Sequence, residues 1–126
     1  MIHVDTNLLI ASIDPSHEDA PVWTRLVMVD EPIAASAVAW TEFRSYSISS
    51  NQLLALEQLL LGGIVAYERA HADLAGELFR NTKTKRKNRL DSMIAATAIL
   101  AGAKLATVDQ KDFQPFVSLG LELHQF

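Results

Sequence analysis

Two hydrophobic rhythms alternate along the chain. Short continuous apolar runs, the mark of strands buried on both faces, give way to longer segments whose apolar residues recur every three or four positions, the mark of one-sided helices. "MIHVD" is the first run and ends on an acid, Asp5. "TNLLIASI" follows with helical spacing and is broken by Asp14-Pro15-Ser16. "HEDAPVWTRLVMV" predicts a helix that tolerates Pro21 only near its start. "PIAAS" predicts a strand leading into the helix "AVAWTEFRSY", with Ser36 as its N-cap. "NQLLALEQLLL" predicts a helix stopped by Gly62-Gly63, "IVAY" a strand, and "RAHADLAGELFRN" another helix. Beyond a basic run, "LDSMIAATAILAG" predicts a helix closed by Gly102. "KLATVD" then predicts a strand, "QKDFQPF" a turn region and "LELHQF" a last strand.

Strands alternate with helices and no hairpin signal interrupts them. The pattern therefore predicts a mainly parallel sheet covered by helices on both faces, an α/β/α sandwich. At 126 residues, with no linker, repeat or low-complexity tract, residues 1–126 form a single domain able to bury a real core.

Composition narrows the chemistry. The chain has no cysteine, which excludes disulfides, thiolate zinc sites and a cysteine nucleophile. Its apolar stretches are too short to span a bilayer, and no basic region with an apolar core opens the chain. A soluble, cytoplasmic protein is the expectation. Net charge is −4, but residues 80–89, "RNTKTKRKNR", hold six of the eleven Lys and Arg and no acid. The remainder carries fifteen acids against five bases. A basic segment on an acidic protein suits local attraction of a polyanion, although a solvated loop has the same composition.

Four acids occupy positions that solvent-facing carboxylates usually avoid. Asp5 ends the first strand, where it can cap the following helix or stand at the functional edge of an open sheet. Counting back from Glu42 by four and three gives Val38 and Ala35, which puts this acid on the apolar stripe of its helix. Asp91 heads a stripe of Ile94, Ala95, Ala98 and Ile99; with Asn88 as N-cap it could also be a capping-box acid. Asp109 ends the strand "KLATVD", and Asp112 lies three residues on. Together these acids can converge on one edge of the sheet. Clustered carboxylates repel and are costly to desolvate unless a cation neutralises them. Hard oxygen ligands, with histidines scattered at 3, 17, 71 and 124, favour Mg²⁺ or Mn²⁺ over Zn²⁺. Such ions activate water and stabilise phosphoryl transfer.

"VDTNLL", the acid in "AWTEF", "LDSMIAATAI" and "LATVDQKDF" together resemble the PIN-domain nucleases, and most of all the small VapC-type toxins of toxin–antitoxin pairs. The motifs stand in family order across essentially the whole chain. The resemblance implies a metal-dependent endoribonuclease whose acidic quartet is Asp5, Glu42, Asp91 and Asp109, bordered by the polar residues Thr6, Asn7 and Thr107. It also implies an antitoxin that covers the site, and a homodimer. Two departures stand out. The fourth acidic position is often Asn in related toxins, which leaves Asp109 or Asp112 as the fourth ligand. The stretch before Asp91 is denser in Lys than is usual and lacks Gly.

Arg80, Lys83, Lys85, Arg86, Lys87 and Arg89 are then the residues expected to hold RNA phosphates beside an acidic site. Neutralising Lys83, Lys85, Arg86 and Lys87 is expected to weaken RNA binding. The log–log salt slope on single-stranded RNA should flatten by roughly 0.7 for each phosphate that the variant no longer neutralises. An unchanged slope assigns the run to a solvated loop.

Overall fold

The computed structural model describes residues 1–82 and 89–126. Four of the basic residues expected to hold RNA, Lys83, Lys85, Arg86 and Lys87, lie outside the described residues, as does the N-cap candidate Asn88. The first half of the chain forms β1 (Ile2–Val4), α1 (Thr6–Ile13), α2 (Ala20–Val27), β2 (Ile33–Ser36), α3 (Ala37–Arg44), α4 (Ser50–Leu59) and β3 (Gly63–Val65). The second half forms α5 (Arg69–Thr82), α6 (Arg89–Leu100), β4 (Lys104–Ala106), α7 (Gln110–Phe113), a 3-10 helix (Gln114–Leu119) and β5 (Glu122–Leu123).

The strands form one sheet in the order β3-β2-β1-β4-β5, and every pairing is parallel. β1 is the centre, with His3 opposite Ala34 on one side and Leu105 on the other. Its three residues are buried on both faces, as the continuous apolar run requires. α1 packs against α2, α3 and α4, while α6 packs against α5, β2 and β4, which completes the α/β/α sandwich. Phe43, Phe113 and Phe116 are the largest fully buried side chains, and burial of each contributes about 1.5–3 kcal/mol. His3 is the exception inside this core. Neither ring nitrogen has a hydrogen-bond partner among the described residues, and burial pushes its pKa down to about 4, so the imidazole is neutral.

Several expectations are corrected. The segment "QKDFQPF" is helical, not a turn: Phe113 and Phe116 lie three residues apart, meet edge to face at 6.2 Å, and draw the backbone into α7 and the 3-10 helix. Pro115 is accommodated because it falls in a first helical turn, where its missing N–H leaves no bond unmade. Ala35 belongs to β2 rather than to the stripe of α3, because Ser36 is extended (ψ 153°) and caps the helix by accepting from the Ala39 N–H at 3.0 Å. The second helix starts at Ala20, three residues after the predicted His17.

The two glycines after α4 act for different reasons. Gly63 has φ 74°, a left-handed conformation that starts β3 from a turn. Gly62 lies against the sheet: a Cβ there would stand 2.8 Å from Ala34 Cβ and 3.2 Å from the Ile33 carbonyl oxygen. Gly62→Ala is therefore expected to lower stability by about 1–3 kcal/mol, seen as an earlier midpoint in denaturant unfolding with an unchanged slope.

Candidate active site

From β1 the chain winds outward through β2 to β3, then returns to place β4 on the other side of β1. Loops leaving the carboxyl ends of β1 and β4 therefore diverge, and the crevice between them is where open α/β sheets bind their ligands. Asp5 directly follows β1 and Thr107 directly follows β4. The sheet order puts the first and last thirds of the chain in one place.

Asp5 caps α1 and stands at the carboxyl edge of the sheet. Extended at φ −77° and ψ 164°, it caps α1 by accepting from the Thr6 N–H at 2.8 Å with Oδ1. Its Oδ2 accepts from the Thr107 hydroxyl at 2.9 Å. Thr107 is fully buried; its oxygen also accepts the Asp109 N–H at 3.0 Å, so one hydroxyl ties two acids together. The Asn7 side-chain amide donates to Asp109 Oδ2 at 2.8 Å. The Thr6 hydroxyl donates to Glu42 Oε1 at 2.9 Å. Asp91, in the first turn of α6 above buried Ile94, Ala95 and Ala98, accepts no hydrogen bond from the described residues. A helix N-terminus favours a carboxylate at that position.

Asp5, Glu42, Asp91 and Asp109 line one cleft of about 250 Å³, together with Thr6, Asn7, Ile10, Ser45 and Tyr46. Asp112 does not line it. It is exposed on α7, yet near enough for its charge to act on Asp91. Arg80 and Arg89 stand elsewhere. Arg80 is exposed in the last turn of α5, and the Arg89 guanidinium lies 5.2 Å from the Phe79 ring centroid, on the α5 side of α6. Among the described residues no Lys or Arg pairs with any of the four cleft acids.

Uncompensated charge leaves its trace in the acids. Burial, opposed by the bonds from Thr6 and Thr107 and reinforced by Asp109 and Glu42, pushes Asp5 up to about 6. Burial, reinforced by Asp5, Asp112, Glu42 and Asp109, pushes Asp91 up to about 7. Both carboxyls take up protons well above the ordinary range because burial disfavours their charged forms and the neighbouring carboxylates add to it. Among the described residues no three His, Asp or Glu side chains converge closely enough to enclose one ion.

Ile10, Ser45 and Tyr46 were not anticipated as lining residues. The signal was present: Ile10 follows Thr6, and Tyr46 follows Glu42, by one helical turn.

A doubly wound parallel sheet with a carboxylate cleft at its switch point defines a class of α/β proteins built for chemistry at that edge. The chain belongs to the PIN domain family, which it matches over residues 2–115 and whose members are nucleases. Similar folds occur in solved structures. One is VapBC2 from Rickettsia felis bound to a DNA fragment from their promoter (TM-score 0.75, 23% identity, 100% of this chain and 99% of that one). Another is FitAcB from Neisseria gonorrhoeae (TM-score 0.73, 22% identity, 99% and 97%). A third is a toxin–antitoxin complex from Klebsiella pneumoniae (TM-score 0.68, 25% identity, 90% of each chain). No curated protein sequence matches the chain.

The raised acids make the metal-free protein sensitive to pH. Between about 4 and 7 the folded state keeps the Asp91 proton that the unfolded chain has lost, so ionisation of Asp91 costs stability as pH rises through that window. In protein stripped with EDTA, Asp91→Asn is expected to exceed wild type by about 1–2 kcal/mol at pH 8, after allowance for solvent screening. The difference should shrink to nothing as pH falls towards 4. Thermal melts of the two proteins across that range check it, and an advantage independent of pH contradicts it.

Proposed function

We propose that this PIN-domain protein is a divalent-cation-dependent endoribonuclease, and that it is the toxin of a toxin–antitoxin pair of the VapC type. The observation that carries the reading is the convergence of Asp5, Glu42, Asp91 and Asp109 on one cleft with no basic partner among the described residues. A cation is the missing counter-charge. The donors are all hard oxygens, which suits Mg²⁺ or Mn²⁺. That no three of them enclose an ion also fits Mg²⁺, which keeps several waters and is commonly held by one or two carboxylates plus substrate phosphate. Asp5 and Asp91 are the residues we assign to hold it, with Glu42 and Asp109 acting through a second ion or through water. Bound there, the ion supplies activation of water and stabilisation of charge on the phosphodiester oxygens.

The rest of the site positions these groups. Thr107 and Thr6 N–H fix both oxygens of Asp5, Thr6 Oγ1 fixes Glu42, and Asn7 fixes Asp109. Such supporting bonds set the orientation of ligands and their basicity. Asp109, rather than Asp112, is assigned as the fourth acid because it lines the cleft and Asp112 does not. Phosphates of RNA meet repulsion from the acidic floor, which the Lys- and Arg-rich run before Asp91 offsets.

The toxin assignment draws on the similar solved structures, which are VapBC2 bound to promoter DNA, FitAcB and a toxin–antitoxin complex. An antitoxin segment that inserts an Arg among the carboxylates would pair with them bidentately and compete with the cation for Asp5, Glu42 and Asp91. Inhibition and cation loss are then coupled. A cytoplasmic homodimer completes the proposal. Among the described residues no helix is long and apolar enough to cross a membrane.

Purified protein is expected to cut RNA with Mg²⁺ or Mn²⁺ and to stop on addition of EDTA. Asp5→Asn and Asp91→Asn should abolish cleavage, and Thr107→Val should cost about 10–100-fold. Asp112→Asn should keep most of the activity and Asp109→Asn should not. Expressed alone the chain should arrest growth, and a small protein encoded beside it should restore growth and co-purify. Cleavage without growth arrest, in the native host with the neighbouring gene deleted, assigns a housekeeping RNA-processing role instead. Retention of full cation-dependent cleavage by Asp91→Asn overturns the site.

A further inference from the structure

The cleft carries one feature that the carboxylate chemistry leaves unused. Resting on the nuclease reading above, we propose that Tyr46, backed by Ile10, is a stacking platform for one unstacked nucleobase of the RNA beside the acidic floor. Of the residues lining the cleft, all are polar or acidic except Ile10 and Tyr46. Tyr46 is 56% exposed and makes no hydrogen bond, ion pair or ring contact through its side chain among the described residues. A single exposed aromatic is ordinary on a protein surface; this one is set apart by its place in the cleft lining beside the acids.

The placement is systematic. Ile10 stands one helical turn beyond Thr6 on α1, and Tyr46 stands four residues beyond Glu42, two past the end of α3 at Arg44. Tyr46 is held there because its N–H continues the helical turn by donating to the Phe43 carbonyl at 3.1 Å. Ile10 and Tyr46 therefore form the apolar wall of the cleft, beside the two residues joined by the Thr6–Glu42 bond. A phosphate over the carboxylates puts its neighbouring base against the ring.

RNA suits this wall better than a protein side chain does. Sequence-tolerant single-strand recognition combines backbone contacts with bases stacked on aromatic rings, and unstacked bases are what RNA loops and ends present. The ring also shares its cleft with the acids, where the scissile phosphate must enter. Preference for a base then arises from stacking strength at this one position.

The test separates this from the nuclease reading. Asp91→Asn protein is mixed with single-stranded RNA oligonucleotides carrying 2-aminopurine at successive positions. Fluorescence should be quenched at one position on binding. The quench should disappear with Tyr46→Ala and persist with Tyr46→Phe and Tyr46→Trp. In the otherwise wild-type enzyme, Tyr46→Ala should lower kcat/KM by about 5–150-fold. The defect should vanish on RNA that is abasic at the quenched position. Unfolding midpoints should match wild type, because an exposed ring adds little to the core. RNA that is bound and cut with no Tyr46-dependent quench overturns the platform and leaves the nuclease standing. Unchanged RNA behaviour with weakened capture of the neighbour-encoded protein also overturns it, and assigns the ring to the protein partner. RNA neither bound nor cut by wild type with Mg²⁺ or Mn²⁺ overturns both.

Discussion

Carboxylates brought together out of water repel one another, and the structure around them is arranged to hold them there nonetheless. Thr107 is buried at the centre of this restraint. Its one proton goes to Asp5 across the cleft and its oxygen takes the Asp109 N–H within its own loop, so the loops after β1 and β4 cannot separate without breaking the Thr107–Asp5 and Asn7–Asp109 bonds. Asn7 and Thr6 repeat the device for Asp109 and Glu42. Donors of this kind lower the cost of each negative charge without cancelling it. Negative potential therefore stays concentrated at the switch point of the sheet. Among the described residues the acids are positioned by neutral hydrogen-bond donors and by no basic side chain.

That arrangement explains how a chain with net charge −4 can work on a polyanion. A uniformly basic surface would bind nucleic acid anywhere and exclude cations from the cleft. Here six of the eleven bases are gathered in one stretch of sequence and four of the fifteen acids in one cleft. Arg89 shows how sharply the two are divided. Two residues before Asp91, it lies on the opposite side of α6 with its guanidinium over Phe79, while Asp91 faces the acids.

Much of this was legible in the sequence because it is written in local patterns. Strands buried on both faces read as unbroken apolar runs, and "MIHVD" and "KLATVD" gave away the centre of the sheet and the acids that follow it. Asp91 was legible from the apolar residues three, four, seven and eight positions on. Glu42 was legible from Val38 alone, since Ala35 belongs to β2 and not to the stripe. What escaped depends on tertiary contact. Phe113 and Phe116 turn a segment rich in polar and turn residues into helix only because both rings find the core. Tyr46 looks like an ordinary surface aromatic until Glu42 and Ile10 are seen beside it. Asp109 and Asp112 are indistinguishable by residue type and separated only by the direction of α7.

The order of the strands also sets a clock. β1 is made first and sits in the middle, but its second neighbour, β4, is made almost last. The Asp5–Thr107 and Asn7–Asp109 bonds each join residues 102 positions apart. During synthesis a ribosome must deliver nearly the whole chain before the two halves of the cleft can meet. Contacts of such long range also form late and slowly, after local helices and the β1–β2–β3 unit are in place. A nascent chain therefore emerges with its acids apart and water around each of them. On the proposed reading, the cleft can act on RNA only after the chain has been made through Asp109.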